Sequence, residues 1–275
     1  MSNKSATLRR AVVATLAFVA APTFAQPAQN EEARTIEHII VTAQKREQSL
    51  QDVPIVVTAV SEQLLQDTGV RDIKDLTVLT PGMTVTSTSS EASTTARIRG
   101  IGTVGDNPGL ESSVGVVIDG VYRPRNGVGF GDLGELERIE VLKGPQGTLF
   151  GKNTSAGVIN VVTKKPAFEF GSQIEVTAGN YGLLEGSASI TGPINDKVAG
   201  RLFVAARERD GYLDVNRGDG PRQQTEDMDR DVVTVRGQLL FNVTDDLNIR
   251  LVGDYSERDE SCCGGVQTVN GPAAA

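Results

Sequence analysis

After Pro166 the chain becomes a run of five segments in which apolar and polar residues alternate. Ile174, Val176 and Ala178 share one face, and Gln173, Glu175 and Thr177 the other. Leu184, Gly186, Ala188 and Ile190 oppose Glu185, Ser187 and Ser189. Leu202, Val204 and Ala206 oppose Arg201, Ala205 and Arg207, with Phe203 on the polar side. Val233, Val235, Leu239 and Phe241 oppose Thr234, Arg236, Gln238 and Asn242. Leu247, Ile249, Leu251 and Tyr255 oppose Asn248, Arg250, Asp254 and Ser256. A period of two belongs to strands, which turn successive side chains to opposite faces. The connections near Tyr181-Gly182 and Thr244-Asp245-Asp246 are short, and Asp210 to Arg230 is long and polar. Alternating segments of about ten residues joined this way predict a transmembrane barrel with a polar lumen. A soluble β-sandwich also has one apolar and one polar face and is the alternative on this pattern. Aromatics such as Phe168, Phe170, Tyr181, Phe241 and Tyr255 fall in this half, several near strand ends, where a membrane girdle needs them.

The start of the chain reads as an export address. Lys4, Arg9 and Arg10 precede the apolar Ala11 to Ala21, Pro22 breaks that run, and Thr23-Phe24-Ala25 offers small residues for cleavage after Ala25. Residues 1–25 are therefore expected to be a signal peptide. Their loss takes the net charge from -8 to -11, because three basic residues and no acidic ones leave. So acidic a chain is a poor general nucleic-acid binder, and none is expected as a partner. No apolar run reaches about 18 residues, which argues against a spanning helix but says nothing of strands.

Gln26 to Thr35 is polar and without period, a mobile leader. Ile36 to Ala43 is β-prone and isolated between polar flanks, so pairing with another protein's sheet edge is expected of it. Beyond it, strands are predicted over Asp52–Val60, Val114–Asp119, Val121–Arg123, Leu136–Leu142 and Val158–Thr163. Ser61 and Asp72 are predicted to cap short helices, through Gln66 and over Ile73–Leu79, ended by Gly69 and by Pro81-Gly82. Short strands, short helices and many Gly turns define an α+β globule over residues 52–166.

Sites for covalent chemistry are not evident. Gly147-Thr148-Leu149-Phe150-Gly151-Lys152-Asn153 has three residues between its glycines and Asn after Lys, where a phosphate loop needs four and Ser or Thr. It is expected to lead into a strand with no helix N-terminus for an anion. His38 is the only histidine and lies in the leader, so no Ser-His-Asp triad, metal site or cofactor is expected. Cys262 and Cys263 sit in a polar stretch. In an exported protein the expectation is a disulfide to a partner elsewhere. Arg97, Arg99, Glu137, Arg138, Glu140 and Lys143 lie on alternating strands. They are a solvated face in an ordinary domain, or contacts to the wall if the globule sits inside a polar barrel.

These motifs together resemble the TonB-dependent outer-membrane receptors of the siderophore-receptor type. Ile39-Ile40-Val41-Thr42-Ala43 is similar to the TonB box. GPQGTLFGKNTSAGVINVVTKKP, Gly144 to Pro166, resembles the end of the family's plug domain. Gly144, Pro145, Gly147, Gly151, Asn153, Gly157 and Asn160 carry that likeness. The upstream RIRGIG, VIDGVYRPR and LERIEVLK fit the same plug. One departure is Lys143, where many members carry Arg, which replaces a bidentate fork with a point charge. The resemblance implies an N-terminal plug inside a 22-stranded barrel in the outer membrane. It implies uptake of a scarce nutrient, most often a ferric siderophore and otherwise cobalamin, haem or a saccharide. TonB would pull on a box added as a strand to its sheet, and no catalysis is implied. The expected layout is a leader over 26–51 with the box at 39–43, a plug over 52–166 and barrel strands over 167–275. A plugged lumen takes about 22 strands and five are counted here, so the chain is expected to be the N-terminal part of such a receptor, unable to transport alone. A signalling receptor would need an extra N-terminal domain, for which Gln26 to Thr35 is too short. The remaining alternative is an exported soluble β-rich binding module.

Overall fold

The computed structural model describes residues 40–261 apart from 44, 47, 71–72, 88–93, 104–109, 125–133 and 215–224. The expected signal peptide, His38, Ile39, Asp72 and the cysteines Cys262 and Cys263 lie outside the described residues.

Two five-stranded sheets organise the chain. The first is built from β3 (Val56–Ser61), β6 (Val114–Ile118), β7 (Val121–Arg123), β8 (Leu136–Lys143) and β9 (Gly157–Thr163), in the order β3-β8-β9-β6-β7. Its pairings are antiparallel except β6 with β9, which are parallel. All five residues of β6 are buried, the pattern of a strand covered on both faces. One face packs Val60, Ile139, Val141, Val116, Ile159 and Val161 against the helix Glu62–Thr68 and the hairpin of β4 (Met83–Ser87) and β5 (Thr94–Ile98). Ser61 Oγ accepts from Leu64 N–H and Gly69 closes the helix at φ +67°, as predicted. The strand predicted from Asp52 starts at Val56, after a 3-10 turn at Leu50–Asp52, because Pro54 has no N–H to give a ladder. The predicted second helix shrinks to a 3-10 turn over Asp75–Thr77, with Thr80 N–H returning to Leu76.

The second sheet is an antiparallel meander of β10 (Gly171–Ala178), β11 (Leu184–Asn195), β12 (Val198–Arg209), β15 (Arg230–Thr244) and β16 (Leu247–Arg258). The five alternating segments are thus all strands, paired in sequence order. The long connection also carries a small hairpin, β13 (Leu213–Asp214) with β14 (Glu226–Asp227), which the sequence reading lacked. The apolar face is the exposed one: Ile174, Val176, Ile190, Leu202, Leu251 and Tyr255 are all open. On β11, β12 and β15 the polar face is buried against the first sheet, with Ser189, Thr191, Arg207, Thr234, Arg236 and Gln238 inside. A soluble sandwich buries its apolar faces against each other, so this inversion removes that alternative for the sheet. It is the arrangement of a barrel wall, oily outside and polar within.

Candidate functional site

The residues preceding the first sheet fold back on it. β1 (Ile40–Val41) pairs antiparallel with β2 (Gln48–Ser49), so the segment expected to lack a local partner has one. A turn makes this possible: Lys45 N–H donates to Thr42 O at 2.8 Å, and Lys45 takes φ +59°. Val41 and Ala43, both fully buried, pack with Val117, Leu142 and Val158 on the sheet's second face. The leader expected to be mobile to residue 51 is therefore packed from Val41 onward, because alternation puts two small apolar side chains on the face that meets an apolar sheet.

Between those two sits Thr42, and its partners are polar. Its N–H and Oγ1 both donate to Glu140 Oε1, at 2.7 and 3.1 Å. Glu140 is fully buried. Arg138 Nε donates to the same oxygen at 2.8 Å, and Asn160, the cross-strand neighbour of Glu140, donates to Oε2 at 3.1 Å. Arg138 also pairs with Glu137. A carboxylate taken out of water needs this set of partners. Four donors meet it, two of them from Thr42. The arrangement is a clasp: it holds Thr42 while the donors are in place and has nothing covalent to break.

A second polar cluster joins the first sheet to the wall. Asp119, at φ +50° in the turn between β6 and β7, accepts from Arg236 at 2.5 Å and Arg250 at 2.9 Å, both on wall strands. Thr163 N–H and Oγ1 complete its coordination at 2.9 and 2.7 Å. Glu135 accepts from Arg201 at 2.7 Å and from Ser189 at 2.8 Å. Arg123 pairs with Asp254 at 3.5 Å, and Gln238 donates to Lys164 O at 3.0 Å. Phe203, the one aromatic on the wall's polar side, is buried beside Gly134.

The six residues expected at this interface have no described contact with these five wall strands. Arg138 and Glu140 serve the clasp, with Glu137 beside them. Lys143 Nζ donates to Pro81 O at 2.9 Å. Arg97 pairs across the hairpin with Thr84 and lies under Gly102, and Arg99 N–H donates to Gly82 O at 2.6 Å. Their described contacts are with the globule itself, and the ion pairs to the wall fall on Asp119, Arg123 and Glu135. Strand alternation gives the face of a side chain but not what covers that face. The available signal was on the wall strands: Arg201, Arg236 and Arg250 point inward and each needs a carboxylate.

The glycine-rich stretch has structural work. Gly157 at φ +154° leaves no room for a Cβ, which would sit 2.4 Å from Leu142 O. Gly144 and Gly151 also take positive φ, and Pro145 lies between Gly144 and the buried Gln146. Gly147 opens a single helical turn, Gly147–Phe150, where no helix was expected. Asn153, at φ +66°, donates to Glu111 at 2.7 Å and to Tyr122 at 3.2 Å. Lys152 Nζ reaches the other oxygen of Glu111 at 2.8 Å. Hydrogen bonds from Lys152 first, then Asn153, hold the Glu111 carboxyl below its ordinary range. Among the described residues no group of three or more His, Cys, Asp or Glu could hold a metal ion.

A stopper sheet, held at its leading end and seated by ion pairs on the polar side of an open strand wall, is the arrangement of a plug against part of a barrel wall. Residues 49–158 match the family described as TonB-dependent Receptor Plug Domain. Over residues 49–158 the chain is thus similar to that plug domain, and together with the strands that follow it has the fold of a solved uptake receptor. It is 29% identical over 187 residues to the vitamin B12 transporter of Vibrio vulnificus, covering 66% of this chain and 30% of the transporter. It is 25% identical over 228 residues to the ferripyoverdine receptor of Pseudomonas aeruginosa, covering 80% of this chain and 25% of the receptor. The solved ferric yersiniabactin uptake receptor of Yersinia pestis superposes with a TM-score of 0.66 at 23% identity, over 74% of this chain and 31% of that one. The chain thus spans about a quarter to a third of the length of these relatives.

Proposed function

We propose that the protein acts in TonB-dependent uptake of a ferric siderophore across the outer membrane, after export directed by residues 1–25. The observation that carries this reading is the double attachment of the plug. It is seated on the wall by charge pairs and holds its own leading segment through Glu140. In this reading residues 26–51 are the leader, 52–166 the plug and 167–275 barrel wall, with Ile39 to Ala43 the strand that TonB takes. That segment leaves its dock only by exposing Val41 and Ala43 and giving up two hydrogen bonds to a buried carboxylate. Each such bond is worth about 1.5–3 kcal/mol and the valine about 1.5 kcal/mol, so the clasp resists thermal release but yields to a pull. Pairing with TonB's sheet edge offsets part of that cost with new main-chain bonds. The receptor performs no covalent chemistry on its cargo. Its lipid partner faces Ile174, Ile190, Leu202 and Leu251.

Receptors named for ferripyoverdine, ferric-pyoverdine 358 and pesticin are among the relatives, which supports a siderophore. The vitamin B12 transporter, at 29% identity, supports cobalamin as the second reading. Growth of a deletion strain on each nutrient, with the full gene restored, separates them. In that background Val41→Pro is expected to abolish uptake and leave surface ligand binding intact, because Pro removes a strand donor. A melting curve matched to the parent confirms that the plug still folds. Uptake at the parental rate would overturn the box assignment.

A further inference from the structure

The segment that leaves the plug sheet after β9 is stapled to the wall. Gln238 Nε2 donates to Lys164 O at 3.0 Å, Arg201 Nε to Lys165 O at 3.1 Å, and Ala167 N–H to Thr191 Oγ1 at 2.9 Å. The wall side of these contacts lies on β15, β12 and β11. Glu135, just before β8, joins the staple. Its carbonyl accepts from Lys164 N–H at 3.1 Å, and its carboxylate accepts from Arg201 and Ser189 on the wall.

The first helix of the plug is held differently. Glu62–Thr68 follows β3, the edge strand of the plug sheet and the first that the leader reaches. Among the described residues this helix makes no hydrogen bond or ion pair with the wall, and its one ion pair runs from Lys164 Nζ to Glu62 Oε1 at 2.6 Å. Lys164 therefore joins a stapled part to a part with a single charge tie. Its ammonium also faces Glu135 Oε1 at 4.0 Å. Glu135 has room for it. A carboxylate offers about four acceptor positions, and Arg201 and Ser189 take two of them. Burial decides which of the three groups can lose its partner. The side chain of Glu62 is 39% exposed, that of Lys164 20% and that of Glu135 11%. Glu62 can be left to water. An ammonium abandoned where little water reaches it is costly, and a second carboxylate beside it removes that cost.

We propose that Lys164 is a switching residue, which holds the helix Glu62–Thr68 through Glu62 while the plug is seated and passes to Glu135 when the helix leaves. The helix and β3 are then the part that a pull on the leader detaches, and residues 163–167 stay on the wall. This rests on the reading of the first sheet as a plug and on no particular cargo.

The first test is a structure of Glu62→Ala in the intact receptor, made from the full gene. The variant leaves the wall contacts in place, and Ser61 still caps the helix. Lys164 Nζ is expected to close on Glu135 to about 2.8 Å, the length of a charge-assisted bond. An ammonium turned to solvent would overturn the proposal. The second test is hydrogen exchange of the same receptor in detergent micelles, read by mass spectrometry. The helix amides are expected to open while those of residues 163–167 stay protected, and exchange of the two in step would overturn the proposal. Glu62→Ala and Lys164→Met are each expected to speed helix exchange about threefold, the scale of a partly exposed ion pair. The double variant is expected to exchange no faster than the faster single one, because both remove the same tie. Additive effects would equally overturn it. Neither test measures uptake, so a failure here and a failure of the transport reading are told apart.

Discussion

The plug sheet and the wall sheet each have five strands, and they solve opposite problems. The plug sheet is mixed and covered on both faces, so β6 reads as an unbroken apolar run and its few polar residues must find partners inside. The wall sheet is an antiparallel meander whose apolar side chains are open and whose polar ones, on its three central strands, are buried. What distinguishes them is the medium on each face, since both satisfy their backbones by ordinary ladders. A polar residue in the plug sheet is therefore a fixed point of the fold, whereas an apolar residue on the wall's outer face is stabilising only if lipid meets it.

The largest test of this contrast is Glu140→Ala. It removes the acceptor for Thr42, Arg138 and Asn160 and leaves Arg138 poorly compensated in a buried site. Breaking a buried pair from one side costs about 3–5 kcal/mol. The plug is expected to lose that much in urea unfolding followed by pulse proteolysis, and the box segment to become cleavable after Lys45. A loss below about 1 kcal/mol, the scale of a surface pair, would mean the clasp does not hold the box.

Leu239→Arg sharpens the other half. Leu239 is on the outer face and 38% exposed. In lipid a charge near the midplane costs about 2–4 kcal/mol, and in water the same change stays within about 0.5 kcal/mol. Unfolding of the full receptor from phospholipid vesicles measures the difference. An indifferent variant would place that face in water and break the comparison.

The wall was legible because a period of two survives any change of partner. All five segments became strands, with Phe203 on the polar side where the alternation put it. The plug's strands were legible for a related reason, as apolar runs between glycine turns. The polar contacts were less so. Glu140 and Asp119 look alike as single acids in apolar surroundings, yet one holds the box and the other the wall. Which does which depends on the fold-back of β1 onto the sheet and on the φ +50° turn at Asp119, neither of which has a periodic trace. The six residues expected to meet the wall were chosen by alternation, and their described contacts lie within the plug. Asn153 and Gly157 were picked out by the motif, but their reasons, a left-handed turn tied to Glu111 and a close approach to Leu142 O, needed coordinates.

The smallest effect lies at the plug's solvent edge, where Glu111 meets Lys152 and Asn153. Glu111 and Lys152 are exposed there, so the contrast with Glu140 is one of burial at similar bonding. The Glu111 carboxyl is lowered below its ordinary 4.5 by the hydrogen bond from Lys152, then that from Asn153. A carboxyl lowered by folding contributes stability above its ordinary value, and that contribution is lost as the pH falls through the folded value. Lys152, raised above its ordinary 10.5 chiefly by the Glu111 hydrogen bond, contributes below that value and loses the contribution as the pH rises past its folded one. Thermal unfolding of the parent and Glu111→Gln should therefore differ slightly at about pH 7 and converge as the pH falls through the folded carboxyl's lowered value. Added salt at the higher pH should shrink the gap, because exposed charges are screened. A gap that widens in acid would show that Glu111 is held by something other than its charge. The distinction between a buried clasp and a solvated tie would then have to be redrawn.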